Sequence, residues 1–168
     1  MEPKFFKPDC EQFVKGFDTQ IVHAGFYGDQ YGSLVPPIVL SSTFKQDFQS
    51  KYIYSRAGNP TREAFEKNIA TLEGAKYAIA VSSGMAALTT IFHILNPGDH
   101  FLLSEHAYAG LLRFLDPIAT KKLSLQYDFV DTGNVEEISK AIKPNTKLVH
   151  IDSPSNPFLN VIDIKAVS

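Results

Sequence analysis

A chain of 168 residues is about one domain's worth and long enough to bury a real core. Sixteen Lys and Arg against eighteen Asp and Glu leave a net charge of −2, so no basic surface recommends nucleic acid as a partner, and no apolar run reaches membrane-spanning length. The single cysteine, Cys10, has no second thiol to pair with, which excludes an internal disulfide framework and a cysteine metal cluster and suits an ordinary cytosolic protein.

Residues 1–50 show little helical or strand periodicity and many punctuators, among them Gly16, Gly25, Gly28, Gly32, Pro36 and Pro37. They are expected to form an N-terminal arm. Phe5, Phe6, Phe13, Phe17, Phe26, Tyr27 and Tyr31 would be costly to leave in water, so a neighbouring subunit or the rest of the domain should cover them. Residues 51–168 are expected to form part of one larger domain. It opens on Tyr54 and Arg56, a phenol and a guanidinium two residues apart ahead of a Gly-Asn-Pro loop, both suited to donating to a phosphate, although such a pair by itself is usually just surface. A helix should follow from Pro60 or Thr61 to Leu72, with Ala64, Phe65, Ile69 and Leu72 on its apolar face, a Glu63–Lys67 pair and Gly74 as terminator.

Tyr77-Ala78-Ile79-Ala80-Val81 has the composition of a buried strand, closed by Ser82-Ser83-Gly84. Beyond it Met85, Leu88, Ile91, Phe92 and Leu95 recur at helical spacing, with Ser83 as N-cap. Backbone N–H groups at such a helix start attract an anion, and Gly84 lets a phosphate approach closely, although the same residues also suit a helix that is only well capped. Further strands are predicted at 100–104, 124–130 and 147–151. They alternate with a helix carrying Leu111, Phe114, Leu115 and Ile118, which Pro117 should kink, and a helix capped by Asn134 that carries Val135, Ile138, Ala141 and Ile142. This alternation predicts an α/β fold, a mainly parallel sheet with helices on both faces and ligands at the carboxyl ends of the strands. The loops at 82–85, 105–108 and 152–156 should then converge. His23, His93, His100, His106 and His150 are scattered, with His93 and His150 in predicted core elements, so no metal site is expected.

Four motifs stand in order: Tyr-Ser-Arg-Ala-Gly-Asn-Pro-Thr-Arg at 54–62, Ser-Ser-Gly-Met-Ala-Ala at 82–87, the Tyr108 loop, and Asp-Ser-Pro-Ser-Asn-Pro at 152–157. Together they resemble the Cys/Met-metabolism family of pyridoxal-phosphate enzymes, which includes cystathionine γ-lyase, cystathionine γ-synthase, methionine γ-lyase and homoserine-ester sulfhydrylases. Val35-Pro36-Pro37-Ile38 and Ser42-Thr43-Phe44 also fit. The resemblance implies a fold-type I large domain, truncated here, and pyridoxal 5'-phosphate as cofactor. It further implies a cytoplasmic enzyme of transsulfuration acting on a small amino acid, assembled as a homotetramer or dimer of dimers, with no nucleic-acid or membrane partner.

Residue by residue, the resemblance places the cofactor phosphate against Ser83, Gly84 and Met85, with Tyr54 and Arg56 reaching a neighbouring subunit's phosphate. Tyr108 would stack on the pyridine ring and take part in proton transfer, Asn156 would hydrogen-bond the ring hydroxyl, and Arg113 is a substrate-contact candidate with a surface arginine as the plainer alternative. The lysine that carries the cofactor as a Schiff base and the aspartate facing the ring nitrogen are expected beyond Ser168, since Lys76, Lys121, Lys122, Lys140, Lys143, Lys147 and Lys165 all read as solvated surface. The 168 residues are therefore expected to be the N-terminal, cofactor-binding part of a longer carbon–sulfur lyase or transferase and inactive alone; the alternative is a truncated, non-catalytic paralogue that pairs with full-length subunits. Two departures stand out. Gly110 argues against a methionine γ-lyase, and Leu111 replaces a family threonine, which is expected to remove a hydroxyl near the site.

Overall fold

The structure is a computed structural model that describes residues 16–26, 28–29, 31–46 and 51–168. Cys10, Phe5, Phe6, Phe13 and Tyr27 lie outside the described residues. Two compact units divide the chain, one ending at Ala80 and the other beginning at Val81.

The first unit holds helices α1 (Phe17–His23) and α2 (Pro60–Leu72). Helix α1 corrects the expectation of an arm without helical structure; seven residues are too few for a periodic pattern to stand out. Its hold is tertiary. The amide of Asn68 in α2 donates to the carbonyls of Ile21 (3.3 Å) and Ala24 (3.0 Å). Gly25, at φ +86°, approaches so closely that a Cβ there would lie 2.1 Å from the Ala64 carbonyl oxygen. Phe17, Tyr31, Leu34, Ile38 and Leu40 are exposed in the chain by itself.

Helix α2 begins where predicted, with Pro60 in the first turn and the Asn59 side chain accepting from the Thr61 amide at 2.9 Å. It ends through Gly74 at φ +61°. Its buried residues are Ala64 and Ala70, and Phe65, expected on the apolar face, is 57 % exposed. Glu63 gathers Lys67 at 2.8 Å, Lys51 at 2.5 Å and the Tyr52 hydroxyl.

Residues 77–81, predicted as a strand of the sheet, form none among the described residues. Strand composition needs a hydrogen-bonded neighbour to become a strand, and the Ala80 amide bonds instead to the Glu66 carboxylate at 2.9 Å. Tyr77 and Ile79 stay more than three-quarters exposed.

The second unit is built on β1 (His100–Ser104), every residue of which is buried. Parallel neighbours β2 (Gln126–Val130) and β3 (Thr146–His150) flank it in the order β2-β1-β3. On one face Phe101 and Leu103 pack with Phe92, Leu111, Phe114 and Leu115, drawn from α3 (Gly84–Phe92), α4 (Ala109–Phe114) and the turn after it. On the other, Leu102 and Val130 meet Ile138 of α5 (Val135–Ala141) and Val167 of α6 (Ile164–Val167). Helices on both faces are as predicted. Asn134 caps α5, its side chain accepting from the amides of Glu136 and Glu137. Pro117 lacks the N–H that would continue α4, and the chain widens there into a π-helical turn over Leu115–Thr120. At the other end of the sheet the buried His100 ring and the Thr146 hydroxyl lie 2.8 Å apart, joining β1 to β3.

The Glu63 cluster yields a test. Hydrogen bonds from Lys51, Lys67 and Tyr52 hold its carboxyl at about 2, against an ordinary 4.5, while burial pushes the Tyr52 phenol up to about 12. Ionised Glu63 therefore stabilises the fold above pH 4.5, and that contribution is lost as the pH falls towards 2. Glu63→Gln should lower stability at neutral pH by roughly 1 kcal/mol and flatten its fall in acid, as read by urea unfolding at several pH values.

Candidate functional site

At the carboxyl ends of the strands the loops before α3, before α4 and after β3 meet around a cavity of about 590 Å³. That volume suits a small ligand. Ser83, Gly84, Met85 and Leu88 contribute from the start of α3, Tyr108 from the loop after β1, and His150, Asp152 and Asn156 from the end of β3 and its loop.

The start of α3 leaves backbone donors open towards the cavity. The Ser83 hydroxyl accepts from the Ala86 amide at 3.1 Å, and the Ser83 carbonyl accepts from Ala87. Nothing within the helix accepts from the Gly84 and Met85 amides, which carry the positive end of the helix dipole. A Cβ on Gly84 would meet nothing within 4 Å, so a ligand can come close to its backbone.

Tyr108 is the residue before α4, with its carbonyl accepting from the Leu111 amide at 2.8 Å and the residue 47 % exposed. Gly110 makes that ring position possible. A Cβ on Gly110 would stand 2.3 Å from Cε1 of Tyr108 and 3.0 Å from the Met85 sulfur. Both neighbours line the cavity, so this glycine sets the cavity wall.

The loop after β3 is closed by its own serines. Ser155, fully buried, accepts from the Asn160 amide at 3.1 Å, and the Ser153 hydroxyl accepts from Ile162 at 3.0 Å. Asn156 is thereby presented on a pinned loop. His150 ends β3 partly buried, with Nδ1 out of water and without a hydrogen-bond partner. Burial pulls its pKa below the ordinary 6.5, and Asp152 pulls in the opposite direction.

Of the residues singled out from sequence, Ser83, Gly84, Met85, Tyr108 and Asn156 are thus brought together. Arg113 is not: it is exposed in the last turn of α4 and does not line the cavity. Tyr54 and Arg56 belong to the first unit, where the guanidinium lies 5.0 Å over the Tyr54 ring and both side chains are exposed. Their loop is firmly made: Ser55 N–H donates to Ser42 (2.8 Å), Arg62 donates to the Ser55 carbonyl (3.0 Å), and Thr43 and Tyr54 form a bridge.

Leu111 corrects the expectation of a lost hydroxyl near the site. It is fully buried in the core with Phe92 and Phe101 and does not line the cavity, so a polar group there would be buried among apolar side chains. His93, expected in the core, is an exposed C-cap of α3. His150, Asp152 and Leu88 were legible from sequence only as a core residue, the first residue of the 152–156 loop and a member of the α3 apolar stripe; all three line the cavity. His150 ends β3 and Asp152 follows two residues later, and a position at the carboxyl end of a parallel strand is the signal that could have marked them as site residues.

Residues 18–168 match the family described as Cys/Met metabolism PLP-dependent enzymes. Cystathionine gamma-lyase of Bos taurus is 45 % identical over 169 residues, spanning 98 % of this chain and 40 % of that protein. Cystathionine beta-lyase MetC of Bacillus subtilis (strain 168) is 44 % identical over 154 residues, spanning 89 % of this chain and 39 % of the relative. The crystal structure of metB from Corynebacterium glutamicum superposes with a TM-score of 0.86 at 46 % identity, covering 92 % of this chain and 42 % of that one. The chain spans about 40 % of the length of these curated relatives. A match over residues 18–168, joined to a closely superposing fold, shows that the chain belongs to the Cys/Met metabolism PLP-dependent enzymes.

Proposed function

We propose that this chain is the cofactor-binding part of a cytoplasmic carbon–sulfur lyase or transferase of sulfur amino-acid metabolism. Cystathionine γ-lyase is the nearest description, with γ-elimination or γ-replacement on an amino acid such as cystathionine. The observation that carries this is the cavity of the second unit, where an anion-binding helix start, an aromatic ring and a pinned amide converge. Both named relatives act on cystathionine by their names.

The residues fit pyridoxal phosphate. When bound, the cofactor supplies an electron sink for a carbanion beside the substrate's amino group. The Gly84 and Met85 amides would hold its phosphate, with Ser83 keeping the helix end formed. Tyr108 would stack on the ring and move a proton at its hydroxyl, Asn156 would donate to the ring hydroxyl, and Leu88 and Met85 would exclude water beside it. Arg113, exposed on α4, is retained only as a contact for a substrate reaching past the cavity rim.

Oligomerisation belongs to the same proposal. No carboxylate among the described residues pairs with Arg56, while the loop carrying it is rigidly hydrogen-bonded. A preformed loop presenting an exposed guanidinium stacked on a phenol suits the phosphate of a neighbouring subunit. Exposed Phe17, Tyr31, Leu34 and Leu40 in the 1–50 arm offer apolar surface for that neighbour to cover, in a dimer or dimer of dimers.

Gly110→Ala separates ring placement from folding. Alanine in α4 should hold or raise stability, by up to about 1 kcal/mol, yet its Cβ displaces the Tyr108 ring. Cofactor affinity, titrated by absorbance, should fall about tenfold with the urea midpoint unchanged or higher.

Among the described residues no lysine lines the cavity. The 168 residues alone are expected to bind the cofactor without covalent attachment and to show no turnover. Borohydride reduction with pyridoxal phosphate, followed by mass spectrometry, should label no lysine stoichiometrically. Full labelling of one lysine, with keto-acid release from cystathionine, would overturn this.

A further inference from the structure

His150 is the unusual group in this cavity. Its neighbour across the ladder is Leu103 of β1, and the imidazole keeps Nδ1 buried without a partner. The titratable and polar groups around it are the Asp152 carboxylate beyond the strand, the Tyr108 phenol before α4, Ser83 with the α3 N-terminus, and the neutral amide of Asn156. Among the described residues no Lys or Arg lines the cavity. An anion there is met by backbone amides and opposed by Asp152, and His150 is the lining side chain able to become positive near neutral pH.

The cavity's 590 Å³ makes it comparable in width with the Debye length of about 8 Å, so a charge arriving at the α3 end is felt at β3. The apolar side chains of Met85 and Leu88 form part of the wall between them, where a charge is screened less than in bulk water. Resting on the reading of this cavity as the site of a phosphate-bearing cofactor, we propose that His150 takes up a proton when an anionic ligand enters. The proton comes from solvent and adds to the ring nitrogen that lacks hydrogen; no bond of the ligand breaks. In the ligand-free chain burial favours neutral imidazole, with Asp152 too weak to reverse it. The ligand's negative charge supplies the missing compensation and gives the orphaned nitrogen's ring a counter-charge. Anion affinity therefore rises as the pH falls through the interval between the free and bound titrations.

Sulfate is the probe, because its charge is constant over this range. Calorimetric titration in two buffers of different ionisation enthalpy counts protons taken up per sulfate bound. The expected result is uptake of a substantial fraction of a proton near pH 7 and an affinity rising about threefold to tenfold between about pH 8 and about pH 5.5. His150→Phe and His150→Gln should remove both effects. Glutamine retains hydrogen bonding without charge, so the pair distinguishes titration from simple contact, and the His150 ring protons followed by NMR should titrate higher with sulfate present. Sulfate binding with equal proton uptake in the parent and both variants would overturn this proposal and leave the cofactor site standing. Failure of the parent to bind either sulfate or pyridoxal phosphate would overturn the cofactor site itself, and the proposal with it.

Discussion

A parallel strand with all five residues out of water has to be satisfied on four sides at once, and β1 is such a strand. Its backbone groups require a hydrogen-bonded neighbour at each edge, which β2 and β3 provide. Its side chains require apolar cover on each face, which α3 and α4 give to Phe101 and Leu103, and α5 and α6 to Leu102. Parallel pairing then sends every strand out at the same end. The loops that carry Tyr108 and Asn156 have no other place to emerge, and the site is a consequence of burying one strand.

The cavity wall depends on small residues as much as on chemically active ones. Gly84 exposes the backbone at the start of α3, and Gly110 makes room for the Tyr108 ring beside Met85. An alanine at position 110 would suit α4 better as a helix former. Retaining glycine there costs local helix stability and secures the position of an aromatic ring. The loop after β3 shows the complementary device, with the Ser153 and Ser155 hydroxyls occupied in closing the loop while Asn156 stays free. Rigid support around a few uncommitted polar groups is what a binding site requires.

Charge in the cavity is unevenly provided. The α3 N-terminus offers partial positive charge without a titratable group, Asp152 offers negative charge, and His150 lines the same cavity with burial favouring its neutral form. Outside it, Lys143 pairs with Asp128 at 2.5 Å and Lys140 with Glu136 at 3.8 Å. Electrostatics inside the cavity consequently respond to whatever enters it.

Local chemistry was sufficient for much of this. The Ser83 cap, the Asn134 cap, Pro60 at the first turn of α2, the break at Pro117 and the three strands of the sheet are each decided by residues within a turn or two, and the four motifs identified the family. Other features depend on contacts between residues far apart in the chain. Helix α1 is held through Asn68 and the close approach of Gly25 to α2, and residues 77–81 have strand composition without a strand partner among the described residues. Whether Leu111 faced the cavity or the core, and whether His150 was a core residue or a wall of the site, turned on which face of β1 and β3 each helix covers. Sequence by itself determined which segments form elements and which groups could bind a phosphate. Tertiary structure decided which of those groups share a cavity, because burial and strand pairing are satisfied jointly and no single segment carries that information.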